Sequence, residues 1–226
     1  MKKLNLEVLK LALVHFLLAL VPLGGMLFVS AGTLAWTDAW LLLGMLFIPM
    51  LLVGALLLVY EPALLRSRLK EREKRRVQQS MQATTAALFA MVFVSAGLNR
   101  RFLWLSLPHW TSTAAAVVFG LGYLLYAEAL RENIWLPRTV QVRRGQKLLD
   151  TRLYAHIRHP MYAATVLMCL SMPLILDAPL SAIAMLVYLP LVASRMDDEE
   201  RLLIRKLPGY ADYCERVPWR MIPQIW

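Results

Sequence analysis

Residues 158–193 read RHPMYAATVLMCLSMPLILDAPLSAIAMLVYLPLVA, and the way this stretch divides decides the fold. Two apolar runs, Met161 to Leu176 and Leu180 to Ala193, are separated only by Asp177, Ala178 and Pro179. At about 16 and 14 residues, both fall short of the roughly 20 that a helix needs to cross a bilayer core. Proline favours the first turn of a helix, so Pro160 and Pro179 predict a tight helical hairpin. A hairpin returns its ends to one membrane face. The polar residues ahead of it, Tyr154, His156, Arg158, His159 and Tyr162, should therefore meet those behind it, Arg195, Asp197, Asp198, Glu199 and Glu200.

Four longer apolar runs precede the hairpin: Leu6 to Val29, Ala39 to Tyr60, Met81 to Leu98 and Thr111 to Leu130. Each can span a hydrocarbon core of about 30 Å. The 226 residues are 59% apolar, and the mean hydropathy is +0.53, as expected of a chain whose solvent is largely lipid. The predicted fold class is all-α integral membrane, with about six transmembrane helices including the short C-terminal hairpin. The start, MKKLNLEVLKLALVHFLLAL, imitates a signal peptide. Its apolar run continues to about Val29 and shows no small-residue cleavage pattern, so a spanning helix is the better reading.

The net charge of +10 does not point to nucleic acid, because the basic residues fall between apolar runs instead of along an aromatic-interleaved surface. Three lie before or within the first run, seven in 66–76, seven in 131–158 and six in 195–220, so 23 of the 25 share one side. Only Arg100 and Arg101 fall on the other. Basic residues stay preferentially in the cytoplasm, which predicts a multi-pass protein with both termini cytoplasmic. The chain divides into N-terminal transmembrane helices, 1–130, and a second region, 131–226, that holds a long polar connection, the hairpin and a cytoplasmic tail. In that tail RMDDEERLLIRKL reads as a helix stopped by Pro208 and Gly209, and RSRLKEREKRR at 66–76 reads as a helical extension or an anionic-lipid contact.

Several chemistries have no basis in this sequence. There is no GxGxxG or GxxxxGK[ST] loop after a strand, and Gly120 and Gly122 lie in an apolar run where close helix packing is the ordinary role. HExxH, CxxC and GxSxG are absent, so no metal site is expected. Cys169 and Cys214 fall in bilayer and cytoplasm, which disfavours a disulfide. His15 is the one ionisable residue deep in an early span, a weak basis for a transport path. Arg195 and Glu199, four apart, share a helix face, and considered alone they make an ordinary surface ion pair. Pro160 makes His159 its extended neighbour, and free N–H groups at such a helix start suit an anionic ligand group.

The order QKLLDTRLYAHIRHPMYA, hairpin, RMDDEERLLIRKLPGYADYCERVPWRMIP resembles the isoprenylcysteine carboxyl methyltransferase family and its phospholipid methyltransferase relatives. The resemblance covers 132–223 in four ordered elements: an upstream Asn and Gln, Tyr-x4-His-Pro-x-Tyr, Arg-x3-Glu-Glu, and Gly-Tyr-x2-Tyr with Val-Pro. It implies a methyltransferase using S-adenosyl-L-methionine, held in a cytoplasmic pocket beneath the membrane, with a membrane lipid or lipid-linked small molecule as acceptor. Matching positions imply cofactor contacts at Gln141, Gln146, Lys147, Leu148, Leu149, Tyr154, His159, Pro160, Met161, Tyr162 and Glu199. They make Arg195 the residue that meets the reacting group of the substrate. The sequence departs from the family at Arg152, where glycine is common in a Gly-x-Tyr turn, and at Ala163 and Ala164, where a glycine often follows. A side chain disfavours positive φ, which puts the shape of the turn before Tyr154 in question.

The residues suit that chemistry. Glu199 can meet an ammonium or a ribose hydroxyl, N–H groups of His159 to Tyr162 a carboxylate, and Tyr154 and Tyr162 an adenine or sulfonium. A carboxylate acceptor needs no general base, its reference pKa being far below 7. A phospholipid N-methyltransferase would need one, from His156, His159 or Glu200. A sterol-type reductase would need nicotinamide binding, and a non-catalytic sensor or transporter would need ionisable residues along a path.

Overall fold

The computed structural model describes residues 6–70, 76–133 and 148–226. Among them the chain is helical, with no strand: α1 (Leu6–Ala31), α2 (Thr37–Tyr60), α3 (Pro62–Lys70), α4 (Arg76–Phe102), α5 (His109–Glu132), a 3-10 turn (Arg152–Ala155), α6 (Pro160–Ile175), α7 (Pro179–Met185), α8 (Tyr188–Lys206) and α9 (Tyr210–Arg216). Among the described residues five helical segments are long and apolar enough to cross a membrane: Leu6–Ala31, Thr37–Tyr60, Gln78–Phe102, His109–Glu132 and Pro179–Lys206. The 16 residues of α6 are the short sixth, about 24 Å long at 1.5 Å per residue. This is an all-α integral membrane protein.

Apolar side chains project on both sides of α1 and α2. Leu27, Leu42, Phe119, Ile175 and Met185 are fully buried in one cluster, whereas Leu18, Val21, Leu52 and Leu56 are more than half exposed toward what would be lipid. Glycine sets the closest approaches. A Cβ at Gly97 of α4 would strike the Leu27 carbonyl of α1 at 2.7 Å, and one at Gly122 of α5 would meet Met168 Cγ of α6 at 2.8 Å. Gly120 has open space around it, so close packing belongs to Gly122 alone of the two. His15 is satisfied within its own helix, where Nδ1 lies 2.8 Å from the Leu11 carbonyl.

The hairpin forms where expected, with a specific turn. After α6 the Asp177 N–H donates to Leu174 O at 3.3 Å and the Ala178 N–H to Pro173 O at 3.0 Å. This is the paired closure that ends a helix on a left-handed residue. That residue is Asp177 (φ 53), a role aspartate tolerates better than most side chains. Its Oδ1 accepts the Leu107 N–H and its carbonyl accepts Asn99 Nδ2, tying the turn to α4 and the α4–α5 loop. The second arm differs from the single run ending at Ala193. It is broken at Leu186 and Val187 into α7 and α8, and α8 then continues without interruption into the charged stretch as far as Lys206. Pro190 is the cause, since it has no N–H to give the Leu186 carbonyl; Leu189 N–H bonds that carbonyl instead, at 3.1 Å.

Candidate functional site

The start of α6 and the middle of α8 face each other across the mouth of the hairpin. His159 lies outside the helical region, which the following proline disfavours, but at φ −126, ψ 59 it is not the extended neighbour that the sequence suggested. Tyr162, on the first turn, donates its hydroxyl to Glu199 Oε2 at 2.7 Å, and the Tyr162 hydroxyl oxygen in turn accepts the Arg195 Nε–H at 3.0 Å. Arg195 and Glu199 are thus joined through a buried phenol of the opposite arm, which differs from a solvated surface pair.

Glu200 points the other way, into a socket of cations. Its Oε1 accepts Arg158 Nε–H at 2.7 Å and His159 Nε2–H at 3.0 Å, and its Oε2 accepts Arg220 Nη2–H at 2.9 Å. The Arg158 and Glu200 side chains are each 8% exposed. Arg158 also donates to the Val217 carbonyl, and Arg220 reaches Asp197. The backbone completes the seam: the Arg158 N–H bonds Trp219 O, and the His159 N–H bonds Arg220 O at 2.8 Å. The His159 N–H is therefore committed within the protein. The Met161 and Tyr162 N–H groups remain the first-turn donors beyond the reach of the helix's own bonding.

A cap of aromatic residues lies beside this seam. Leu207 ends α8 in extended backbone and Gly209 (φ 81) opens α9, and Leu148 packs with Leu207, Tyr210, Tyr213 and Val217. Tyr154 is buried; its carbonyl accepts the Tyr213 hydroxyl at 2.7 Å and its phenol oxygen accepts Asn133 Nδ2–H. Burial pushes the Tyr154 phenol up to about 12, opposed by the Asn133 hydrogen bond and aided by the nearby Glu199 charge. At neutral pH it is an uncharged ring edge beside Glu199. The turn ahead of it keeps the glycine-like shape without glycine, because Arg152 itself adopts φ 51.

Of the residues singled out from sequence, Tyr162, Arg195 and Glu199 come together, with Tyr154 beside them; His159 and Pro160 shape the mouth, and Met161 lies on its first turn. Leu148 and Leu149 are half-buried. Gln141, Gln146 and Lys147 lie outside the described residues. His156 turns away, lining a separate cleft of about 320 Å³ with Arg216 and Trp219. Among the described residues no His, Cys, Asp and Glu group suits a metal. Three residues carry more of the arrangement than their sequence context suggested. Arg158 and Arg220 form the socket, and Gln78 of α4, fully buried, donates Nε2–H to Asp198 Oδ2 at 2.6 Å. A polar residue at the edge of an apolar run was the available signal for Gln78. On the lipid side a groove of about 340 Å³ runs between α4 and α8, walled by Met81, Thr85, Phe89, Leu191 and Val192, and Arg195 also lines it.

Residues 113–205 match the sequence model of the isoprenylcysteine carboxyl methyltransferase (ICMT) family. The chain is also 31% identical over 91 residues to the Delta(14)-sterol reductase TM7SF2 of Mus musculus, covering 39% of this chain and 22% of that protein. To the nickel-cobalt-cadmium resistance protein NccN of Alcaligenes xylosoxydans xylosoxydans it is 26% identical over 110 residues, 48% of this chain and 50% of that protein. The matched part spans about a fifth and a half of the lengths of these two curated relatives. The match runs from within α5 to the last turn of α8, so over the hairpin and its mouth this integral membrane protein is similar to the isoprenylcysteine carboxyl methyltransferase family.

Proposed function

We propose that the protein is an S-adenosyl-L-methionine-dependent methyltransferase that esterifies the carboxylate of a lipid-linked or amphipathic acceptor, with residues 131–226 as its catalytic region. One observation carries this reading: the Tyr162 hydroxyl bridges Arg195, which lines the lipid-side groove, to Glu199, which faces the helix mouth. Two binding directions converge there, one apolar and one polar.

The described residues fit the cofactor. Glu199 is a carboxylate for its ammonium or ribose hydroxyls, the Met161 and Tyr162 N–H groups suit its carboxylate, and neutral Tyr154 offers a ring beside them. When bound, S-adenosyl-L-methionine supplies an activated methyl group that the acceptor's carboxylate oxygen takes, leaving a neutral thioether. The protein's own work is positioning, which can supply about 7 to 11 kcal/mol of the barrier. Arg195 orients the carboxylate with its planar donors, and spending Nε on Tyr162 fixes the plane of that fork. A carboxylate is ionised at neutral pH, so no side chain has to remove a proton. The carboxyl reading is favoured over amine methylation because His159 and Glu200 are bonded to each other and His156 lines a different cleft.

The test is to incubate membranes holding the protein with methyl-labelled S-adenosyl-L-methionine and treat the lipid extract with base. Label released as volatile methanol is the expected result. Alkali-stable label would mean N-methylation, and no transfer, with reduction of a sterol-type double bond instead, would favour the activity named for the reductase relative. The site is assigned to the cytoplasmic face, with both termini on that side. Substituted cysteines at Ser80 and Thr151 should resist an impermeant external reagent, whereas one at Ser106 should react; the reverse pattern overturns the orientation.

A further inference from the structure

Gln78 is fully buried, and its Oε1 has no hydrogen-bond partner. The orientation of its amide is chemically fixed: facing the Asp198 carboxylate at 2.6 Å, the group must present its NH₂. The oxygen is left unpaired, an arrangement that an apolar side chain of similar length would avoid. Its neighbours show what the contact achieves. Met81, Gln82 and Thr85, three, four and seven residues along α4, line the lipid-side groove. Gln78 thus lies on the same face of α4, just beyond the groove. Asp198 lies one turn beyond Arg195 on α8, at the spacing that places helix residues side by side. The pair therefore lies about one turn beyond the end of the groove at which Arg195 stands.

Between α7 and α8, Leu186 and Val187 keep helical backbone angles but bond three residues back, to the Ile183 and Ala184 carbonyls at 3.1 and 3.2 Å, a tighter turn than the α-helical one on either side. Apolar contact in the groove is non-directional and tolerates sliding; a short bond to a carboxylate does not. We propose that Gln78 is a positioning residue for the acceptor side of the site: its bond to Asp198 sets the register of α8 against α4 and so holds Arg195 at the inner end of the groove. This rests on the methyltransferase reading above.

The experiment uses the full-length protein in lipid, with an S-prenylated cysteine as acceptor. Gln78→Leu raises the acceptor KM tenfold or more while S-adenosyl-L-methionine Kd stays within twofold. Gln78→Glu sets two carboxyls together, and their bond survives only while one holds a proton. Its KM defect therefore fades as pH falls and grows as pH rises. Exchanging donor and acceptor in Gln78→Glu/Asp198→Asn returns KM to within threefold of wild type at every pH. Melting temperature, followed in the same variants, should show the pH-dependent loss in Gln78→Glu and its recovery in the exchange. Active wild type alongside an exchanged variant that melts normally but keeps a raised KM overturns the positioning role alone, as do single variants with unchanged KM. Wild type that neither binds the cofactor nor transfers methyl overturns the methyltransferase reading itself.

Discussion

The outer faces of α1 and α2 and the socket around Glu200 hold helices in place by opposite means. Leu18, Val21, Leu52 and Leu56 present an apolar surface with no orientation of its own, and the close glycine approaches lie on inner faces, at Gly97 against α1 and Gly122 against α6. At the hairpin mouth, Glu200 takes three donors, two of them guanidinium groups, Tyr162 bridges two charged residues, and Gln78 ties α4 to α8. Lipid-facing surface suffices to keep a helix in the bilayer. It cannot set the position of a guanidinium, because apolar association is proportional to area and blind to register. The directional polar contacts gathered at the hairpin mouth should therefore be the place where single changes are felt most.

The largest contrast is between removing Glu200 and trimming the lipid face. Glu200→Gln leaves Arg158, His159 and Arg220 converging on a neutral amide, and breaking a buried ion pair typically costs about 3 to 5 kcal/mol. A clear loss of thermal stability, with release of the 217–221 segment to proteolysis, is expected. Leu52→Ala, on the outer face of α2, should change stability by about 0.5 kcal/mol or less. Equal effects of the two would erase the comparison.

Next come changes that leave the socket intact but alter the mouth. Arg195→Lys keeps charge and loses the planar fork, so methyl transfer should fall about 10- to 100-fold, the scale of a charged hydrogen bond of about 1.5 to 3 kcal/mol. Cofactor binding should hold within about twofold, far inside the 1.4 kcal/mol that makes a decade. Glu199→Gln should do the reverse, weakening S-adenosyl-L-methionine binding about tenfold or more in a titration of folded protein. Tyr162→Phe removes the hydroxyl that bridges Arg195 and Glu199. It should cost about 2- to 10-fold in cofactor Kd and in acceptor KM together, since an ordinary hydrogen bond is worth about 0.5 to 1.5 kcal/mol. A Tyr162→Phe protein altered in only one of the two would mean the bridge does not couple them.

The fold and the pairing at the mouth differ in how far they can be read from the chain alone. The spans follow from run length, and the hairpin from Pro160, Pro179 and the three residues between its arms. The meeting of Tyr162 with Arg195 and Glu199 then follows from topology. The break at Leu186 and Val187 was marked by Pro190, but inside an apolar run a proline is compatible with a continuous span, because neighbouring groups can satisfy the freed carbonyl. Gly120 and Gly122 look alike in sequence; only the rotation of α5 against α6 decides which one packs. The Glu200 socket needed Arg220, brought by the tail, and the Gln78 bond joins residues 120 apart. Contacts of that kind depend on how helices are turned, which periodicity does not specify when both faces are apolar.

The smallest effect concerns the turn that leads into Tyr154, where the strain belongs to one residue. Arg152 stands at φ 51 with its side chain exposed. Left-handed backbone costs a residue with a Cβ about 1 to 2 kcal/mol. Glycine would remove that cost but would enlarge the freedom of the unfolded chain, an offset of about 0.4 to 1 kcal/mol. The balance is a stabilisation of about 1 kcal/mol or less, read as a rise of a few degrees in the melting temperature of Arg152→Gly. Arg152→Ala separates backbone from side chain: it keeps the strain while removing the guanidinium, so it should melt no higher than wild type. If alanine and glycine raise the melting temperature equally, the gain comes from losing a positive charge among the many on this face of the protein. If glycine lowers it, the arginine is holding the turn through its side chain, and the shape that Tyr154 depends on is supported from outside the backbone.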